Sequence, residues 1–351
     1  MWEERAYRAR RDITALATQG LGVSDLHAAA IRVINARVGT DLACWATIDP
    51  ETLAISTMTG ARVAPEYEQW LAHAEYSVDE PHRFATLALR KQAQAKLSDL
   101  PDRERSRSTR LNEVWRPLGI SQELRVLFLT DGVCWGAAGM VRSGRDFNDR
   151  EMDFLTAVAP AIASATRLAV RSEARYLSPA GHSAIVVVGS SGELRAATPA
   201  AQEWQERLDQ IAPGRFILMM QLMAGGARTA ASGSFRARLR DARGHWAVLE
   251  ASPLIGGDED QIAVTIEPVS GDHLLGLLLM AYGLTARERE ICREVIAGHS
   301  TSDIAARLFI STNTVQDHLK SVFTKVGVRS RGELVARLRP DRSFRTERIS
   351  P

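Results

Sequence analysis

The spacing of apolar residues changes along the chain, and these changes divide it into three regions. The first, residues 3–175, mixes helix and strand signals in an α+β order. Its earliest clear signal is a set of apolar residues at helical spacing around Arg32, namely Leu26, Ala30, Val33, Ile34 and Val38. Two β-rich runs follow, LACWATID and LAISTMT, joined through Asp49 and Pro50. The pattern predicts a helix followed by a pair of strands.

The strongest local signal in this region is a hairpin. The runs ELRVLFLT and VCWGAAGMV flank Asp131-Gly132, a pair that readily adopts the positive φ angles of a two-residue turn. Asn148 can then cap a helix that we expect to run to about Glu173, because Glu151 can reach back to the cap. The helix carries an apolar stripe of Leu155, Val158, Ile162, Ala165 and Ala169, with Pro160 predicting a kink.

A second pattern covers residues 182–270. Pro179 and Gly181 interrupt the chain before it and predict a boundary. The run SAIVVVG predicts a buried strand, and Thr198-Pro199 predicts a helix capped by Thr198. Further strands are predicted in SFRARLRD, HWAVLEAS and QIAVTIE, with turns at Ala242-Arg243-Gly244 and Gly256-Gly257. A turn at Ser190 to Glu193 separates SAIVVVG from a second strand before the helix, so two strands, helices and three strands predict a small sensor-like α/β unit.

The third region, residues 273–340, has helix signals and no strand signal. Four short helices are predicted at about 286–297, 301–308, 312–326 and 331–338. The cap residues are Thr285, Ser300, Ser311 and Ser330, three of them followed by Glu288, Asp303 and Glu333, and Gly298 and Gly327 stand where helices end. Only residues 309–311 separate the second and third helices, which predicts a helix-turn-helix.

Charge is distributed unevenly between these regions. The whole chain has a net charge of +2, but residues 273–351 hold 13 Lys/Arg and 8 Asp/Glu, which leaves a balance of −3 upstream. A basic C-terminal segment favours contact with nucleic acid. The three cysteines lie far apart, and the N-terminus lacks the apolar core of a signal peptide, so we expect a cytoplasmic protein without a membrane segment.

The third predicted helix has two distinct faces. Val315, Leu319, Val322 and Val326 form an apolar stripe that must pack inside the domain. The candidate base-reading residues on the other side are Asn313, Gln316, Asp317 and Lys320. The candidate phosphate contacts are Thr312, Thr314, Lys325, Arg329 and Arg331. The alternative is that these polar residues form an ordinary solvated face.

The stretches LTARERE, GHSTSDIAARLFIS and NTVQDHLKSVFTKVGVRSRGELVARL resemble the DNA-binding domain of LuxR-type transcriptional regulators over about 60 residues. The resemblance implies that the helix starting near Thr312 is the recognition helix, with Gln316, Asp317 and Lys320 at base-contacting positions. It also assigns the family framework to Glu288, Gly298, Ile304, Ala305, Thr314 and Val315. Asp317, an acidic residue facing DNA, departs from the commonest pattern, which implies more selective and weaker binding than with a basic residue there.

The upstream regions resemble sensor domains. Residues 10–172 resemble a GAF domain, with ELRVLFLTDGVCWGAAGMVR as its central hairpin, and the layout is similar to actinobacterial LuxR-type regulators with an N-terminal GAF-like domain. Residues 183–268, through GELRAATPAAQEW, resemble a PAS-like fold. The expected fold class is therefore multidomain: an α+β GAF-like sensor domain (3–175), a smaller PAS-like α/β domain (182–270) and an all-α four-helix LuxR-type helix-turn-helix domain (273–340).

Aromatic residues offer candidates for a ligand pocket in the first region. They are Trp45, His82, Phe84, Trp115 and Trp135, and the alternative is that they are core residues. No spaced His/Cys/Asp cluster indicates a metal, and no cofactor is expected. An enzyme using Cys134 or His82 is a less favoured alternative, because the chain lacks G-x-S-x-G, H-E-x-x-H, G-x-x-x-x-G-K-[ST] and G-x-G-x-x-G.

The expected partners are double-stranded DNA, a second copy of the chain and an unidentified small molecule. One reader helix covers few base pairs, so a homodimer reading two half-sites is expected. The stripe from Leu155 to Ala169 and the segment from Leu274 to Met280 are candidate dimer contacts, although each could equally be internal core. A ligand would then shift the dimer between DNA-competent and incompetent arrangements. A protein-interaction module without specific DNA binding is the main alternative.

Overall fold

A computed structural model describes residues 2–76, 79–174, 182–211, 213–241, 245–256, 260–269 and 271–338, the first three residues of the last range by backbone alone. The predicted boundary at Pro179 and Gly181 and the turn at 242–244 lie outside this part of the chain. The predicted order of two sheet-containing regions and a helical C-terminal region is confirmed.

The first region builds one sheet with helices on both sides. Its helices are α1 (Trp2–Ala17), α2 (Val23–Asn35), α3 (Pro65–Tyr76), α4 (Phe84–Leu89), α5 (Asp102–Arg105) and α6 (Asp149–Glu173), and its strands are β1 (Leu42–Ile48), β2 (Ile55–Gly60), β3 (Gln94–Lys96), β4 (Gln122–Thr130) and β5 (Val133–Arg142). A 3-10 turn at Leu97–Asp99 and a π-helical turn at Arg110–Trp115 connect them. The sheet order is β2-β1-β5-β4-β3, with every pair antiparallel.

The predicted hairpin and its following helix are confirmed. Asp131 and Gly132 have φ angles of 52° and 73°, as a two-residue turn between β4 and β5 requires. Asn148 accepts a hydrogen bond from the Glu151 backbone N–H at 3.1 Å, while the Glu151 carboxylate accepts one from the Asn148 N–H at 2.9 Å. Helix α6 then runs without interruption through Pro160.

The apolar stripe of α6 is internal. Its members Leu155, Val158, Ile162, Ala165 and Ala169 are all buried in one core with α1, α2 and the sheet. The suggestion that this stripe joins two copies of the chain is therefore wrong, because the chain's own helices cover it. By length and composition alone α6 could cross a membrane, yet 56% of its most apolar window is buried within the protein.

The second region repeats the same strand order. It contains β6 (Ala184–Val188), β7 (Leu194–Ala197), α7 (Ala200–Asp209), α8 (Arg215–Thr229), β8 (Phe235–Arg240), β9 (Trp246–Pro253) and β10 (Ile262–Pro268). The antiparallel sheet order is β7-β6-β10-β9-β8. The predicted cap at Thr198 is wrong: its hydroxyl accepts a hydrogen bond from the Ile185 N–H at 3.0 Å, so it ties β6 to the chain before α7.

The two sheet regions pack against each other. The guanidinium of Arg238 on β8 lies 3.4 Å from the Asp49 carboxylate of the first region, and both side chains are buried. Trp246 and Val248 of β9 join the core that contains α6. Helices α3 and α8 lie side by side across the boundary.

The third region consists of α9 (Gly271–Ala281), α10 (Ala286–Ile296), α11 (Thr301–Leu308), α12 (Thr312–Val326) and α13 (Arg331–Leu338). These bounds confirm the four predicted helices. Helix α9 precedes them and contributes to two cores: Leu274, Leu277 and Leu278 pack with α6, while Leu279 packs with α10 and α12. Most of the segment from Leu274 to Met280 is thus internal, whereas Leu275 and Met280 are only partly buried, and the segment's role as a dimer contact stays a prediction.

Candidate functional site

The turn between α11 and α12 sets the direction of α12. Phe309 ends α11 in the left-handed conformation, with φ 54°, and so turns the chain within three residues. Ser311 then caps α12, its hydroxyl accepting a hydrogen bond from the Thr314 N–H at 3.1 Å. Glycine at 327, with φ 73°, ends the helix.

One face of α12 anchors it in the domain. Val315 and Val322 are fully buried, and Leu319 and Val326 are less than 10% exposed. They share a core with Ile291 of α10 and other apolar residues of α10, α11 and α13. This burial holds the opposite face of the helix at a fixed angle to the rest of the domain.

The candidate base-reading residues lie together on that opposite face. Asn313, Gln316, Asp317 and Lys320 are all exposed. The Lys320 ammonium lies 3.1 Å from the Asp317 carboxylate, and both side chains are at least 75% exposed. A surface ion pair of this kind is worth at most about 1 kcal/mol, so the two groups can separate at little cost.

The candidate phosphate contacts divide into two groups. Thr312, Thr314 and Arg329 are exposed around the ends of α12, and Arg331 is half-buried, donating a hydrogen bond to the His299 carbonyl. The fifth candidate, Lys325, is also exposed at the surface, but its ammonium is paired with Glu288.

The pairing of Lys325 with Glu288 was not foreseen from the sequence. The Lys325 Nζ lies 2.7 Å from the carboxylate, which also accepts hydrogen bonds from the Ser321 hydroxyl at 2.7 Å and the Thr285 N–H at 2.7 Å. These donors lower the pKa of Glu288 to about 2, despite the opposing effect of burial. Glu288 thus completes the cap of α10 and also links α10 to α12. The sequence indicated only the first of these roles, through the position of Glu288 in a capping box.

A cavity of about 380 Å³ lies between the two sheet regions. Its walls are one face of the first sheet, helix α3 and helix α8. Two of the five proposed pocket residues, Phe84 and Trp115, line it.

The other three proposed pocket residues lie elsewhere. Trp45 and Trp135 are 1% exposed and belong to the α6 core, because alternate residues of a strand face opposite sides of the sheet. The neighbours Cys44 and Ala46 face the cavity instead. His82 is half-buried outside the cavity lining, and its carbonyl accepts a hydrogen bond from Arg125 at 3.1 Å.

A buried network of charged side chains beside the cavity was also not predicted from the sequence. Arg125 bonds Glu75 at 2.6 Å and lies over the Phe84 ring, while Arg110 bridges Glu123 at 3.1 Å and Glu80 at 3.0 Å. The two arginines hold the pKa of Glu123 at about 2 although burial opposes this. The partners are distant in sequence, so no local pattern could have indicated them.

The described cysteines do not resemble activated nucleophiles. Burial raises the pKa of Cys134 to about 12 and that of Cys44 to about 11, so both thiols are protonated at neutral pH. Within the part of the chain that the structure covers, no group of three or more His, Cys, Asp or Glu residues is arranged to hold a metal ion.

Comparison with known proteins places the helix-turn-helix in a recognised group. Residues 283–338 match the bacterial regulatory proteins of the luxR family. The spore germination protein GerE of Bacillus subtilis is 40% identical over 55 residues, which are 16% of this chain and 74% of that protein. The CsgBAC operon transcriptional regulatory protein of Escherichia coli is 45% identical over 53 residues, 15% of this chain and 24% of that protein.

Other similarities are shorter or more distant. The chain spans only 6% of the length of Rv0890c of Mycobacterium tuberculosis, an HTH-type regulator to which 52 residues, 15% of this chain, are 52% identical. The alignment with the phycoerythrobilin-bound GAF domain from a cyanobacterial phytochrome covers 47% of this chain and 95% of that domain, at 14% identity and a TM-score of 0.35. The Vibrio cholerae VqmA complex with ligand and DNA covers 46%, with 83% of that chain matched, at 18% identity and a TM-score of 0.24.

Proposed function

Because the chain belongs to the luxR family of bacterial regulatory proteins, we propose that it is a sequence-specific DNA-binding transcriptional regulator. The observation that carries the proposal is the geometry of α12. Its apolar stripe is buried, its polar N-terminal half is exposed, and a three-residue turn joins it to α11. A helix held in this way fits the major groove.

Each exposed residue of α12 has a distinct part in this proposal. Gln316 bonds an adenine edge, Asp317 accepts from cytosine N4, and Lys320 donates to guanine or to a phosphate, with Asn313 beside them. Thr312, Thr314, Arg329 and Arg331 hold phosphates and so fix the register. We assign Lys325 to stabilisation of the domain through Glu288 rather than to direct phosphate binding.

We further propose that the chain acts as a homodimer on two half-sites about 34 to 36 Å apart. Since the α6 stripe is covered within the chain, the dimer contact in this proposal lies on another surface. A homodimer should select a DNA motif with two-fold symmetry.

The sheet regions, in this proposal, sense a small molecule in the cytoplasm and carry out no catalysis. The cavity between them offers room for a ligand, and the protonated thiols give no support to a nucleophile. Helix α9 connects the sheet regions to the helix-turn-helix, because its side chains are buried both in the α6 core and in the α12 core. A ligand would act by binding one arrangement of these cores more tightly than another.

The test is selection of random duplex DNA by the full-length protein at fixed, near-physiological salt, because phosphate contacts make affinity depend strongly on salt. Gln316→Ala and Lys320→Ala are compared with Gln205→Ala, a control at an exposed position of α7. The proposal predicts a two-fold-symmetric motif that loses information at particular base pairs in the first two variants only. Absence of any enriched motif, with and without cell extract as a source of ligand, would favour a protein-interaction module.

A further inference from the structure

The cavity between the sheet regions has a predominantly apolar lining. Ile55 and Met58 of β2, Leu71 of α3, and Leu218 and Leu222 of α8 all contribute to it. An apolar cavity of about 380 Å³ suits an organic molecule of modest size. Because α8 belongs to the second region and the other walls to the first, an occupant would contact both regions at once.

Three of the four acidic residues in the cavity wall already have basic partners. Glu68 receives two hydrogen bonds from the Arg62 guanidinium, at 2.6 Å and 2.5 Å. Glu75 is paired with Arg125 at 2.6 Å. Glu123 is held by Arg110, as described above, and Asp25 is exposed at the rim. A cationic ligand would therefore find no buried carboxylate in this lining that is free to receive it.

Arg215 is the exception among the basic groups of the wall. It is the first residue of α8, it lines the cavity, and it is only 5% exposed. Its guanidinium makes no hydrogen bond or ion pair with any residue that the structure describes. Burial lowers its pKa to about 10; the negative charge of Glu68 opposes this from nearby, but that carboxylate is already hydrogen-bonded to Arg62, whose own positive charge acts the other way. The nearby Cys44 thiol is uncharged, since burial raises its pKa to about 11.

A buried guanidinium without a counter-charge is costly, and the usual remedy is an anion that accepts its planar pair of hydrogen bonds. The N-terminus of α8 lies at the same place and adds its favourable dipole. We infer that the cavity binds an amphipathic organic monoanion, whose acidic group pairs with Arg215 while its apolar body lies against Ile55, Met58 and Leu222. This inference rests on the sensing role proposed above and adds the chemical class of the ligand.

The test uses two fluorescent probes that differ in one group. 1-Anilinonaphthalene-8-sulfonate carries the anion, and N-phenyl-1-naphthylamine is its uncharged counterpart. Both are titrated into the full-length wild-type protein and into Arg215→Met, Arg215→Lys and Arg236→Met. Arg236 is an exposed arginine of β8 outside the cavity lining and provides the matched control. Thermal unfolding of each variant confirms that it is folded; Arg215→Met should be no less stable than wild type, because it removes an unpaired buried charge.

The inference predicts that Arg215→Met weakens binding of the sulfonate about ten- to hundredfold, the contribution of a hydrogen bond to a charged group, and leaves the uncharged probe unchanged. Arg215→Lys should retain part of the sulfonate affinity, and Arg236→Met all of it. Equal sulfonate binding by wild type and Arg215→Met, equal loss of both probes, or no saturable sulfonate binding would overturn the inference. The titration contains no DNA, so failure of specific DNA binding would reject the proposed function without affecting this result.

Discussion

Replacing Glu288 by glutamine tests which interactions stabilise the helix-turn-helix domain. The amide keeps the size of the side chain but removes the charge that Lys325 and the Thr285 N–H contact. A pKa held at about 2 instead of 4.5 corresponds to at most about 3 kcal/mol of interaction with the charged carboxylate. Lys325 is 34% exposed, so solvent screens part of this, and we expect a loss of about 1 to 2 kcal/mol.

The assay is hydrogen–deuterium exchange of the full-length protein, read in peptides from α10 and α12. A loss of this size should accelerate exchange there about five- to thirtyfold at pH 7. Glu290→Gln is the control, because Glu290 is also paired with an arginine of α10 but is 47% exposed. It should have little effect.

The pH dependence has a definite sign. The folded-state pKa of Glu288 lies below its unfolded value, so its contribution is present above about pH 4.5 and is lost as the pH falls towards 2. After correction for intrinsic exchange rates, the gap between wild type and Glu288→Gln should narrow at pH 3. Exchange in Glu288→Gln no faster than in Glu290→Gln at pH 7, or a gap that is unchanged at pH 3, would refute the reasoning.

Three further predictions concern other parts of the chain. Arg329→Met should reduce the slope of log affinity against log salt by about one phosphate contact on every DNA sequence. Lys325→Met should leave that slope unchanged and lower the stability of the domain. A reduced slope in both variants would mean that Lys325 does contact a phosphate. Burial lowers the pKa of His27 to about 4, so the neutral ring stabilises the first region above pH 6.5 and this is lost as the pH falls towards 4. In thermal unfolding followed by tryptophan fluorescence, the difference in unfolding temperature between wild type and His27→Gln should therefore shrink as the pH falls over that range. A constant difference would contradict this prediction. Val315→Asp should abolish protection of α11 and α12 from hydrogen exchange, because it places an unpaired charge in the core, and native-like protection would show that the stripe is not buried.

The sequence was most informative where structure is set by neighbouring residues. The caps at Thr285, Ser300 and Ser311 act over three positions, and the helices that they begin have the predicted bounds. The Asp131-Gly132 turn is equally local. These signals specified most of the DNA-reading domain.

Features that depend on long-range pairing were not predicted. The three-residue strand β3 exists through its hydrogen bonds to β4 and carries no periodic pattern of its own. The sequence shows that an aromatic residue stands at Trp45 but not which side of the sheet it faces, so the prediction that it lines the pocket is wrong. Arg215 lines a cavity built mainly by residues more than 130 positions earlier, so only the folded chain reveals its surroundings.

Whether α12 reads base pairs can be measured by combining a protein substitution with a base-pair substitution in a double-mutant cycle. Affinities of wild type and Gln316→Ala are measured at one salt concentration on the selected site and on a site altered at the single base pair where that variant loses preference. If α12 reads base pairs, Gln316→Ala should lose about five- to 150-fold in affinity on the selected site, equivalent to 1 to 3 kcal/mol, and almost nothing on the altered site. An equal loss on both sites would mean that Gln316 does not read that base pair, and would contradict the placement of α12 in the major groove.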